Sequence, residues 1–226
     1  MKYRLVYSAF QKYVSSERFS VLEFLYLAWN NVPAIAEWLI RDIPGSLGFV
    51  LRRCYYKFRL AHLGKSSLID VGVYFIGPKN ISIGEFTWID SRVKLEATLG
   101  AITIGSRIHI ASDVIIGTRE KVEIGDYAAI AAGCRIYSNS EYPSRGLRMS
   151  GPMIPEKDKS FRSKPITIGK DAVVGTNSVL LPGANLQEGS ILGALSLLNR
   201  TIPSWEIWIG NPAIKIGMRE EVKSKN

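Results

Sequence analysis

Residues able to do chemistry gather in one polar stretch, Ser138-Asn139-Ser140-Glu141-Tyr142, with Arg145 close behind it. Glu141 is the carboxylate of the group and a candidate general base, and Asn139 brings an amide that can donate to a developing negative charge. Ser138, Tyr142 and Arg145 have the donors and acceptors to hold a polar or phosphorylated ligand. A glutamate with its ordinary pKa of about 4.3 is a weak base toward a hydroxyl. It suits an amine better, because a protonated amine is far more acidic than an alcohol and attacks once it has lost one proton. The second candidate base is His109. The only other histidine is His62, at the edge of a helical region, so the chain lacks the histidine trio of a zinc centre and no metal is expected. Two cysteines, Cys54 and Cys134, are too few for a disulfide framework and point to a reducing compartment.

What must position these groups is a ladder with a period of six. Ile168, Val174, Leu180, Leu186, Leu192 and Leu198 are consecutive rungs. Upstream, the same frame runs in triplets: Ile124, Ile130, Ile136; Ile104, Ile110, Ile116; Ile83, Ile89, Leu95; and Leu63, Ile69, Phe75. Extra residues enter only after the third rung of a triplet, and the longest insertion separates Ile136 from Ile168. A triangular coil with one six-residue side per face predicts this pattern, since insertions are tolerated only where they leave the stack of like residues intact. All of them then lie along one edge. The residue after a rung is often glycine, as at Gly84, Gly105, Gly125 and Gly175, and the fourth residue after a rung is small or β-branched, as at Ser67, Thr87, Ala128 and Ser178. Tight corners require both. The fold class expected is mainly β: a left-handed parallel β-helix over residues 63–217, interrupted by a long loop at 138–165. It follows an α-helical segment at 1–62 and precedes a charged tail at 218–226.

This ladder resembles the hexapeptide-repeat acyltransferase superfamily over residues 63–217. Lys164-Pro165-Ile166-Thr167-Ile168-Gly169, Leu181-Pro182-Gly183 and Gly210-Asn211-Pro212-Ala213 are similar to motifs of its sugar O-acetyltransferases. Ile136 to Glu141 and Gly151 to Glu156 resemble acyltransferases of surface-polysaccharide synthesis. The resemblance implies a homotrimer, acetyl-CoA as donor between neighbouring subunits, and a sugar or nucleotide-sugar acceptor. It places the base at the mouth of the long loop, where relatives carry a histidine and this chain has Glu141. That departure leaves O- and N-acylation both open. For the donor, Lys164, Arg200 and Lys215 are candidate cations toward coenzyme A phosphates, with Arg219 also available. Gly175 and Ala194 are small positions where a pantetheine arm could approach the backbone.

Composition bounds the alternatives. The chain has 226 residues, 46% of them hydrophobic, and a net charge of +9. Through Lys65 there are ten Lys/Arg against four Asp/Glu, yet no nucleic-acid motif is present, so nucleic acid is not an expected partner. Residues 47–63 interleave Arg52, Arg53, Lys57 and Arg59 with Phe49, Tyr55, Tyr56 and Phe58; the segment fits either a cap on the coil or a peripheral contact with an anionic membrane. The run from Phe24 to Ala36 falls short of the roughly 20 apolar residues that span a bilayer. A cytoplasmic protein is expected, with a peripheral contact at the inner membrane face as the second use of the basic segment. A non-catalytic β-helix scaffold or partner-binding protein is the alternative of another class.

Overall fold

A computed structural model describes residues 12, 20–142, 146, 149 and 154–223. The chain divides into two units, Met1–Ile40 and Arg41–Asn226. Within the first, the helix Val21–Arg41 begins; it contains Pro33 and exposes Leu22, Leu25, Trp29 and Val32.

The second unit opens with the helix Gly45–Arg59, which starts directly after an extended Pro44. Its buried residues are Gly48, Arg52 and Tyr56, one turn apart, so a single stripe meets the coil. Arg52 donates from Nε to the Ile69 carbonyl at 2.8 Å and from Nη1 to Ile43 at 2.6 Å. Arg53 reaches the carbonyls of Gly64 and Ser67 at 3.1 and 3.0 Å. The Tyr56 ring lies 4.6 Å from that of Phe75. The helix therefore caps the first coil, satisfying carbonyls that would otherwise end the stack unpaired.

From His62 onward the chain winds through three parallel sheets in turn, a parallel β-helix of about seven turns. Its first sheet has seven strands. The register stacks rung on rung: Ile83, Ile104, Ile124 and Ile168 on the first sheet; Ile89, Ile110, Ile130 and Val174 on the second; Leu95, Ile116, Ile136 and Leu180 on the third. Every rung named above is buried. Burial of each such side chain contributes roughly 1.5–3 kcal/mol. A strand of two residues could not persist alone, and the stacking is what holds it.

The corners have their own chemistry. Ser67, Thr87 and Ser178 donate side-chain hydroxyls to the carbonyls of Gly84, Gly105 and Gly193, at 2.6, 2.9 and 2.9 Å. Each bond ties one coil to the next. At Gly84 a Cβ would lie 2.5 Å from the Gly105 carbonyl oxygen, so the close stacking of corners excludes a side chain there. Ile108 and Cys134 fill two further corner positions, both buried. The Cys134 thiol lies 3.1 Å from the Gly175 carbonyl, and burial pushes its pKa up. Cys54 is exposed on the capping helix. Alkylation of the native chain at neutral pH is accordingly expected to label Cys54 and spare Cys134 until denaturant is added, as mass spectrometry of the labelled peptides would read.

At the far end, Glu206–Ile209 continues the second sheet and Ile214–Met218 returns antiparallel along it.

Candidate active site

The long insertion leaves the third sheet directly after Tyr137. Ser138 is fully buried at its base. Its hydroxyl lies 2.7 Å from that of Thr118 and accepts the backbone N–H groups of Arg119 and Glu120, both at 3.1 Å. Its N–H donates to Gly117 and its carbonyl accepts from Lys164, at 3.1 and 2.9 Å. Expected to bind substrate, Ser138 instead commits its polar groups to closing the corner of the preceding coil and both ends of the loop.

On that base stands a short antiparallel ribbon. Asn139–Glu141 pairs with Phe161–Ser163, placing Glu141 opposite Phe161 and Asn139 opposite Ser163. The Tyr142 N–H extends the ribbon to the Ser160 carbonyl at 3.0 Å. The Arg119 guanidinium lies 4.0 Å from the centre of the Phe161 ring, so the corner one coil below braces the ribbon through a cation–π contact. Asn139 and Glu141 are half-buried and Tyr142 is exposed. The structure thus brings these three onto one supported arm. Arg145 lies outside the described residues.

His109 is elsewhere in the fold. It sits on the second sheet beside Trp88, their rings 5.6 Å apart, whereas the loop leaves the corner between the third and first sheets. Its Nε2 is 3.0 Å from Asp90 Oδ2. A carboxylate in that place fixes the imidazole's orientation and tautomer. Asp90 went unnoticed in the sequence because the contact crosses between coils; the signal available was the stacking of Trp88 under His109, which brings the residues beside them into reach.

The cofactor candidates divide between edges. Lys164 is exposed on the loop's edge, its alkyl chain crossing Gly183, where a Cβ would meet Lys164 Cδ at 3.1 Å. Arg200 is exposed on the same edge. Gly175 and Ala194 stack on one another at the edge between the second and third sheets; a side chain on Gly175 would run into the Ala194 backbone. Lys215 stands apart on the returning strand, with Nζ 2.6 Å from Glu206 Oε1. That contact, with a further hydrogen bond from the Trp208 indole at 2.7 Å, holds the Glu206 carboxyl below its usual range. Lys215 is thus paired with Glu206 and remains half-exposed on that strand. Arg219 likewise donates to the Asp171 carbonyl, at 2.7 Å. Among the described residues no group of three or more His, Cys, Asp or Glu side chains is placed to hold a metal ion.

No protein-family model matches the chain. Among curated proteins, the dTDP-4-amino-4,6-dideoxy-D-glucose acyltransferase of Escherichia coli is 36% identical over 159 residues, 70% of this chain and 82% of that protein. The putative colanic acid biosynthesis acetyltransferase WcaF of Escherichia coli is 24% identical over 163 residues, 72% of each. Among solved structures, AntD, an N-acyltransferase from Bacillus cereus in complex with dTDP and 3-hydroxybutyryl-CoA, superposes with a TM-score of 0.69 at 29% identity, covering 76% of this chain and 90% of that one.

Proposed function

The chain belongs to the hexapeptide-repeat sugar acyltransferases, and on that premise we propose that it moves an acetyl group from acetyl-CoA to the amino nitrogen of a nucleotide-linked sugar for surface-polysaccharide synthesis. The observation that carries nitrogen over oxygen is Glu141 on the braced ribbon at the loop's mouth, where a carboxylate can take a proton from an ammonium but serves poorly for a hydroxyl. The amino sugar in the name of the Escherichia coli relative and the N-acyl transfer in that of AntD support the same choice.

In this mechanism Glu141 accepts one proton from the sugar ammonium. The freed nitrogen lone pair attacks the thioester carbonyl carbon, the C–N bond forms, the C–S bond breaks, and the coenzyme A sulfur leaves as the thiol with the second proton that the nitrogen gives up. The Asn139 side-chain amide donates to the carbonyl oxygen as it gains charge. Tyr142 and Arg145 hold the sugar and its phosphates, and Ser138 acts beneath them by fixing the ribbon. Lys164 and Arg200 face the donor's phosphates from the loop's edge. Gly175 and Ala194 offer a bare backbone on the adjacent edge, and a homotrimer is the arrangement that sets that edge of one copy against the loop of another. Leu68 and Trp88, 40% and 47% exposed on the outward side of the second sheet, give such an assembly apolar surface to bury. His109, oriented by Asp90, belongs in this reading to the same outward surface and is the second candidate base. In this reading the enzyme works in the cytoplasm.

Incubated with acetyl-CoA and dTDP-4-amino-4,6-dideoxyglucose, the protein is expected to yield a monoacetylated nucleotide sugar that survives mild alkali, as an amide does. An alkali-labile ester, or no product, overturns the proposal.

A further inference from the structure

We propose that the outer face of the capping helix, Gly45–Arg59, docks on an anionic lipid surface. The inward stripe of Gly48, Arg52 and Tyr56 is spent on the coil. On the other side, Leu47, Val50, Leu51, Cys54 and Phe58 are all exposed. At about 100° per residue these five fall within an arc of about 100°. Phe58 is 85% exposed, Leu47 63% and Val50 59%. Scattered apolar residues on a surface are ordinary, but a continuous stripe along a well-packed helix is the mark of a contact surface.

Charge selects the partner. The helix contains no Asp or Glu. Lys57 borders the stripe and is exposed, and Lys65 is exposed just beyond the helix, whereas the Arg53 guanidinium is held by the coil. Apolar side chains flanked by cations on long alkyl stems are what a bilayer interface accepts: the rings and aliphatic groups enter the acyl boundary while the basic heads remain among the phosphates. A second copy seated on the same face by two-fold symmetry would set Lys57 against its own equivalent, with no carboxylate on the helix to offset it. Spanning is not the mode, since no described helix is long and apolar enough to cross a membrane.

Deleting the helix would be a poor test, because it would also uncap the coil. The full chain should instead be sedimented with phosphatidylcholine vesicles with and without phosphatidylglycerol, alongside Phe58→Glu, Leu47→Glu and Lys57→Glu, each at an exposed position. The native chain is expected to bind the phosphatidylglycerol vesicles, more weakly as salt rises. Phe58→Glu is expected to weaken partitioning by about tenfold or more, with an unchanged melting temperature. Vesicle binding equal in Phe58→Glu and the native chain, or no binding at all, overturns the proposal. So does a drop in oligomer size in the variants by light scattering, which would make the face a contact between copies. Acyl transfer to a water-soluble acceptor without vesicles should be unchanged in Phe58→Glu, so this proposal and the catalytic one can fail separately.

Discussion

Glu141→Gln is expected to lower kcat by about a hundredfold or more while leaving KM for both substrates within a few-fold, since glutamine keeps the shape of the side chain but cannot accept the ammonium proton. The ribbon should persist in this variant, because Glu141 joins it through backbone pairing with Phe161. His109→Asn is expected to change kcat by less than about tenfold. Steady-state rates of the two variants with an amino-sugar nucleotide decide between the bases. An unchanged rate in the glutamine variant with a collapse in the asparagine variant would transfer the role to the His109–Asp90 pair.

The largest effect on stability is expected from a rung at mid-coil. Ile116 is completely buried and stacked between Leu95 and Ile136 on the third sheet. Ile116→Ala removes the contacts with both neighbours and leaves a cavity that the stacked coils cannot close by shifting, since neighbouring backbones are already hydrogen-bonded. A loss of about 2–5 kcal/mol in urea unfolding follows. Thr103→Ala, on the exposed side of the first sheet, should stay within about 0.5 kcal/mol. Equal effects at the two positions would mean that the ladder is not what stabilises the fold.

The scaffold was legible in the sequence because one short-range rule generates it. A rung every six residues fixes the inward side chains, and insertions confined to the third rung of a triplet fix which edge carries the loop. Ser67, Thr87 and Ser178 could be assigned to corners for the same reason, though their hydroxyl bonds to the next coil could not. What stayed hidden depends on contacts between coils or on the path of the chain beyond the ladder. Asp90 reaches His109 only through the register of two strands. That Lys215 pairs with Glu206 depends on the last strand folding back. Ser138 reads as a sugar-binding hydroxyl until the preceding corner, Thr118 to Glu120, closes over it. The helix Gly45–Arg59 shows its two faces in the sequence, but only the structure assigns one of them to the coil through Arg52 and Tyr56. Its exposed face is left as the candidate for lipid.

Acylation of nitrogen on a nucleotide-linked sugar is tested most directly by coenzyme A release from acetyl-CoA with paired acceptors. dTDP-4-amino-4,6-dideoxyglucose and the matching sugar with a hydroxyl in place of the amine would be compared at equal concentration, correcting for the exposed Cys54 thiol. Release is expected with the amine, with at least about a hundredfold lower kcat/KM for the hydroxyl. Equal or faster release with the hydroxyl sugar would contradict it.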